Sequence, residues 1–366
     1  MTILISADTV GGVWTYALDL MRSLPQARWI LATMGQSLRD DQRDELSRVQ
    51  QQADVTLCES EFALEWMPEP WSQVDEAGRW LLDLEAQHAP DIIHLNGYAH
   101  ASLPFRAPKL VVAHSCVLSW WHAVHGEEAP PEWNVYREQV RQGLRSADLV
   151  AAPTRAMLSE VEVLYGPLPQ PDSRLQVLAN GRVLEGAPRW DEKQPFVFAA
   201  GRLWDEAKNI ALLERAAPHL KWPVRVAGHG EASAGEGGSL QMLGRLQAPQ
   251  VLEAMRRASI YALPARYEPF GLSILEAALC GCALVVGDIA TLREVWGEAA
   301  LFVPPDDVEA LAQVINELSR DEARRLEMAR RALERARGFS LERFGHGYWN
   351  AYQTLQAEAA RAPAAA

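Results

Sequence analysis

Lysine is nearly missing from this sequence: of 35 basic residues in 366 only four are lysines, Lys109, Lys193, Lys208 and Lys221, and the formal net charge is −13. Attraction to phosphodiester backbones and to anionic lipid headgroups scales with the Lys and Arg presented, so nucleic acid is excluded as a partner and a membrane surface is disfavoured. The deficit is uneven. Met1 to Pro167 carries 12 basic against 23 acidic residues, net −11, which leaves −2 for the rest. No apolar run approaches the roughly 20 residues of a membrane span, and the opening MTILISADTVGG lacks the basic start and apolar core of a signal peptide, so the chain is expected in the cytoplasm. Cysteine is scarce as well. Cys280 and Cys282 stand one residue apart in AALCGCALVV without a second pair, which together with Cys58 and Cys116 reads as reduced thiols rather than a zinc site. There is no Asp-x-Asp, no GxGxxG and no internal repeat, and nothing in the sequence sets an oligomeric state.

What the chain does have is a succession of short apolar runs separated by longer helical patterns: TILIS, WILAT, DVTL, DIIHL, LVVAH and DLVAA, then FVFAA, VRVAG, IYALP, ALVVG and ALFV. Runs this short and this continuously apolar suit parallel strands covered on both faces by helices. The fold class is therefore α/β, with two doubly wound Rossmann-like domains. The stretch Tyr165 to Gln176, with three prolines and no apolar periodicity, reads as the connection, giving domains over 1–170 and 171–338. A terminal helix is expected over 339–360 and a fraying ARAPAAA tail over 361–366.

Ligands of open α/β sheets bind beyond the carboxyl ends of the strands. After TILIS, Gly11 and Gly12 precede a helix; such a pair lets backbone amides approach an anion, and it equally fits a tight turn that needs positive φ. After FVFAA come Gly201, Arg202 and Leu203, with Lys208 six residues beyond the arginine, a guanidinium and an ammonium suited to clamp a diphosphate. After IYALP, Glu268 stands in an irregular turn with Pro269 and Gly271, and Glu276 follows eight residues later in the next helix, with the amides of Leu272 and Ser273 between the two carboxylates.

Taken in order, Gly201-Arg202-Leu203, Lys208, Gly228-His229-Gly230, Leu243-Gly244-Arg245-Leu246, Glu268-Pro269-Phe270-Gly271 to Glu276, and Arg293-Glu294-Val295 resemble the retaining, nucleotide-sugar-dependent glycosyltransferases of the GT-B class called family four. The resemblance is dense from about residue 175 to 305. It implies two Rossmann-like domains facing a cleft, and transfer of a hexose-type sugar from a UDP- or GDP-sugar to an acceptor hydroxyl with the anomeric configuration kept. By the resemblance Arg202 and Lys208 hold the diphosphate, in place of a metal, so neither metal nor cofactor is expected. Glu268 contacts the transferred sugar, with amides around Phe270, Gly271, Leu272 and Ser273 reading its hydroxyls. Glu276 holds the ribose, Gly228, Gly230, Arg245 and Leu246 shelter the base, and Gly11 and Gly12 adjoin the donor. His114, at the end of LVVAH, resembles the histidine that supports the donor sugar, while His94 reads as structural.

The acceptor is a glycan or a small hydroxyl compound. Because the first half is so acidic, a soluble acceptor is favoured over a lipid-linked one. Trp120 and Trp121, with Trp14 and Trp204, are candidate acceptor contacts, since aromatics stack on sugar rings. A non-catalytic nucleotide-sugar-binding relative, and a phosphorylase or epimerase on the same fold, are the alternatives.

Overall fold

A computed structural model describes residues 1–166, 174–228 and 239–361. The first sheet is seven-stranded and parallel, from β1 (Thr2–Asp8), β2 (Arg28–Met34), β3 (Asp54–Glu59), β4 (Ile92–Leu95), β5 (Lys109–Val112), β6 (Leu149–Ala152) and β7 (Leu175–Val177), in the order β3-β2-β1-β4-β5-β6-β7. Helices α1 (Gly12–Ser23), α2 (Asp40–Gln50), α3 (Trp71–His88), α4 (Val117–His125), α5 (Asn134–Ser146) and α6 (Arg155–Tyr165) alternate with these strands.

The second sheet has six parallel strands, β8 (Gln194–Ala200), β9 (Val224–Ala227), β10 (Leu240–Gly244), β11 (Ala258–Leu263), β12 (Ala283–Gly287) and β13 (Leu301–Val303), in the order β10-β9-β8-β11-β12-β13. Its helices are α7 (Ile210–Ala216), α8 (Ala248–Arg257), α9 (Leu272–Leu279), α10 (Ala290–Trp296), α11 (Val308–Arg320) and α12 (Glu322–Arg337), and α13 (Leu341–Arg361) closes the chain. Every apolar run singled out in the sequence forms a strand. Strand order reverses between β1 and β4 in one sheet and between β8 and β11 in the other, the positions where such sheets open a crevice at their carboxyl ends.

Two compact units result, one from the described residues of Met1–Trp121, Glu128–Gly181 and Leu341–Ala366, the other from His122–Glu127 and Arg182–Ser340. The chain thus leaves the first unit at Gly181, later than the expected boundary at 170. The reason is β7: Leu175, Gln176 and Val177 pair in register with Val150, Ala151 and Ala152, so the end of the supposed connection is an edge strand, and Tyr165 at its start is the buried last residue of α6. Residues 167–173 of that connection, and 362–366 of the expected tail, lie outside the described residues.

Helix α13 belongs to the first unit because of its apolar stripe. Phe344, Tyr348, Tyr352 and Leu355, spaced by four, four and three residues, are buried with Ile3 and Ile5 of β1, Trp29 of β2 and Leu18 and Met21 of α1. At Gly345 the helix approaches α1 so closely that a Cβ would stand 2.5 Å from the Ser23 hydroxyl.

Candidate active site

In the second unit the residues after β8 are held by their own short-range bonds. Asp205, 4% exposed, accepts the Ala207 amide (3.1 Å) and the Arg202 guanidinium (2.7 Å). Asn209, in the left-handed region at φ 56°, donates its side-chain amide to the carbonyls of Pro264 (2.8 Å) and Pro305 (2.5 Å), which ties the turn to the loops after β11 and β13. Arg266 adds a backbone bond to the Ala207 carbonyl (2.8 Å). These ties set Lys208 against Glu268: Nζ donates to Oε2 at 2.6 Å, and the two side chains are 16% and 13% exposed. The Arg202 guanidinium lies 5.0 Å from the ring centre of Trp204, which is exposed.

Glu268 is fixed at both ends. Its Oε1 accepts the Gly271 amide (3.0 Å) and its carbonyl accepts the Thr291 hydroxyl (2.7 Å). Gly271 needs to be glycine, since its φ is +88° and a Cβ would meet Ile274 Cδ1 at 2.7 Å. The expected open amide of Gly271 is therefore already engaged by Glu268. Leu272 and Ser273 form the first turn of α9, whereas the Phe270 side chain is core, edge-on to Phe339 at 5.4 Å. Glu276, in the second turn of α9, pairs with Arg182 at 2.8 Å.

Gly228 ends β9. A Cβ there would stand 2.1 Å from the Gly201 carbonyl and 2.9 Å from Leu203. Its role is to let β9 close against the strand end that carries Arg202. Alanine at 228 is expected to destabilise the fold by about 1–3 kcal/mol. Thermal melts check this; an unchanged melt would refute it. Arg245 and Leu246 follow β10, and Gly230 lies outside the described residues.

In the first unit Gly11 caps α1 with an extended backbone (φ −122°) and no side-chain cap, so the glycine pair does not serve a positive-φ turn. Trp14 is corrected by the structure. It is 3% exposed, packed in the core with its Nε1 donating to Glu45 (2.9 Å), and is not available to stack on a ligand. Trp120 and Trp121 are half-buried on α4, ring centres 6.3 Å apart.

His114 follows β5, and its Nε2 bonds Asn96 Oδ1 at 2.7 Å. Asn96, just past β4, also bonds buried His94 (3.2 Å), and His94 Nδ1 bonds the Tyr352 hydroxyl (2.5 Å). Burial pushes both imidazoles down to about 3, so they are neutral. Asn96, Arg182 and Tyr352 escape sequence reading because their partners are distant in the chain, whereas Asp205 bonds Arg202 and Ala207 within its own turn. The one local signal is that Asn96 stands just past a strand end. Among the described residues no group of three or more His, Cys, Asp and Glu side chains could hold a metal ion, and no helix is long and apolar enough to cross a membrane.

The model of the group 1 glycosyl transferases matches residues 184–337, and that of glycosyltransferase family 4 matches residues 10–185, so the two together run from the first glycine turn to the end of α12. The chain belongs to the group 1 glycosyltransferases. Curated relatives of this glycosyltransferase include O-antigen chain mannosyltransferase B of Escherichia coli, 40% identical over 28% of this chain and 27% of that one. Another is a phosphatidyl-myo-inositol mannosyltransferase of Mycolicibacterium smegmatis, 29% identical over 48% and 49%. The matched stretches thus span about a quarter to a half of those relatives. Whole-chain similarity is found in solved structures. Sucrose-phosphate synthase from Thermosynechococcus elongatus has TM-score 0.78 and 16% identity, covering 98% of this chain and 100% of that one. HepE of Anabaena, in complex with UDP and glucose, has TM-score 0.75 and 17% identity, covering 97% and 100%.

Proposed function

We propose that this glycosyltransferase moves a hexose-type sugar from a UDP- or GDP-sugar to an acceptor hydroxyl, with retention and without a metal ion. One observation carries the reading: the Lys208–Glu268 pair, with Arg202 in the same segment after β8 as Lys208, stands where the strand order of the second sheet reverses. In such a site the diphosphate takes Lys208 Nζ and the Arg202 guanidinium as counter-charges, in place once the donor is bound, for the negative charge that grows on the leaving group. Lys208, drawn to the phosphate, releases Glu268 Oε2 to accept a hydroxyl of the transferred sugar. Glu276 accepts the ribose hydroxyls, and the first-turn amides of α9 with Arg245 and Leu246 line the nucleotide.

In the transfer the bond from C1 of the sugar to the phosphate oxygen breaks and the acceptor oxygen bonds C1 on the same face. The acceptor proton passes to the departing phosphate oxygen, and nucleoside diphosphate leaves. His114, neutral, supports the sugar as a hydrogen-bonding group and not as a nucleophile. The hexose donor is supported by the mannosyltransferases among the sequence relatives and by the glucose and UDP of the Anabaena neighbour. The acidic first half supports a soluble acceptor.

The experiment incubates the protein with UDP-, GDP- and ADP-sugars in EDTA, and follows nucleotide release and the anomeric configuration of the product. Release from a UDP- or GDP-hexose with retention is expected. Release only after a divalent metal is added, an inverted product, or a trapped glycosyl group on Glu268 would overturn the mechanism. No release from any donor would favour a binding protein.

A further inference from the structure

We propose that Asn96, locked by Ser6 and by a His94–Tyr352 pair, is a positioning residue that fixes His114 as its Nε2–H tautomer and so presents Nδ1 to the sugar as an acceptor only. The proposal rests on the place given to His114 in the transfer reaction.

The orientation of the Asn96 amide is settled by its own neighbours. Its Nδ2 donates to the Ser6 carbonyl at 2.6 Å, and its backbone amide donates to the Ser6 hydroxyl at 3.0 Å. Turning the amide over would set two oxygens 2.6 Å apart, so Oδ1 must be the atom that faces the imidazoles. It lies 2.7 Å from His114 Nε2 and 3.2 Å from His94 Nε2. An amide oxygen only accepts, so each ring carries its proton on Nε2. A neutral ring protonated there has a bare lone pair on Nδ1.

For His94 that lone pair is buried at 0% exposure and accepts the Tyr352 hydroxyl at 2.5 Å. Tyr352 is itself fully buried, so water does not substitute for it. With Nδ1 engaged as an acceptor, His94 cannot move its proton there and turn a second lone pair on Asn96 Oδ1. The Tyr16 hydroxyl, 3.2 Å from His94 Nε2, shares that N–H, and the Tyr16 ring packs edge-on against His114 at 4.3 Å. His114 differs from His94 in one respect: it is partly exposed, and its Nδ1 is the atom left for a ligand. A sugar hydroxyl must therefore donate to it.

The test is 15N NMR of histidine-labelled protein together with turnover of the active nucleotide sugar. Wild type is expected to show His114 and His94 as Nε2–H tautomers. Asn96→Ala is expected to give His114 mixed tautomers and to lower kcat about tenfold to a hundredfold with donor KM little changed. Tyr352→Phe, distant from the ligand, is expected to move the His94 signals and lower kcat about two- to tenfold, the range of one lost hydrogen bond. A wild-type His114 protonated on Nδ1, or Asn96→Ala with unchanged tautomers in a folded protein, would overturn the relay. A changed tautomer with unchanged kcat would instead overturn the role of His114 in transfer.

Discussion

Replacing Lys208 by alanine is expected to lower kcat/KM for donor turnover about 10²–10³-fold, the loss that follows removal of one preorganised charge-stabilising group. Two effects of the ammonium are lost together. The first acts on the leaving nucleotide: Arg202 remains as a counter-charge, but its guanidinium is already shared with Asp205 at 2.7 Å and is more exposed than Lys208, so it sits in a higher effective dielectric. The second acts on Glu268, a carboxylate only 13% exposed that is then left with the Gly271 amide as its hydrogen-bond donor. Stranding it costs about 1–3 kcal/mol of stability. Glu268→Gln separates the two, since it keeps the phosphate cation and removes the stranded charge. The Lys208→Ala loss is therefore expected mainly in kcat, with a lowered melting temperature that Glu268→Gln in the same chain restores while activity stays low. A loss confined to KM, or under about threefold, would show that Lys208 is not the phosphate cation.

Strands buried on both faces are written as unbroken apolar words, which is why DIIHL, LVVAH, IYALP and ALVVG could be read directly and the two doubly wound sheets with them. Two of the four edge strands could not. β7 and β10, LQV and LQMLG, are short and half-covered, so they carry the mixed composition of a connection, and β7 begins inside the supposed interdomain segment. The same distinction governs the site. Arg202, Lys208, Glu268 and Glu276 have a fixed spacing in one unit, and two of them meet as a pair across 60 residues. That Glu276 pairs with Arg182 is set by which segments the fold brings together, whereas Arg202 and Asp205 pair within one turn, three residues apart. Trp14 shows the opposite error, because a tryptophan beside a glycine turn looks the same in sequence whether its ring faces a ligand or the core. Its helical spacing with Leu18 and Met21 was the better guide.

The first unit is expected to lose stability as the medium is acidified through the ordinary histidine range. His94 and His114 are pushed down to about 3 by burial, and His94 further by the charge that His114 would carry. Burial lowers His100 as well, although its bond to the Val74 carbonyl opposes the shift. In the unfolded chain each titrates near 6.5. At pH 7.5 all three are neutral in both states and contribute no pH dependence. Between 6.5 and about 3 the unfolded chain binds protons that the folded unit refuses, so stability falls with pH across that window, and the loss is complete only below the folded values. Glu65 works in the other direction: burial raises its carboxyl against the pull of the Ala99 and Tyr98 amides, so the folded unit takes that proton first and gains stability as the pH falls through the raised value. Urea midpoints at pH 7.5, 6.5, 5.8 and 5.2, taken for the intact chain and for Glu65→Gln, separate the histidines from that carboxyl. In both the midpoint is expected to fall slightly between the first two, because the unfolded histidines are half protonated at pH 6.5, and in Glu65→Gln to fall more steeply through the last two. A midpoint level down to pH 5.2 would mean that His94 and His114 are charged in the folded protein. Asn96 Oδ1 would then still accept both Nε2–H groups, but His94 Nδ1 would have to donate to Tyr352 and His114 would have no acceptor nitrogen left for a sugar. The same measurement therefore bears on the chemistry of the site as well as on the stability of the fold.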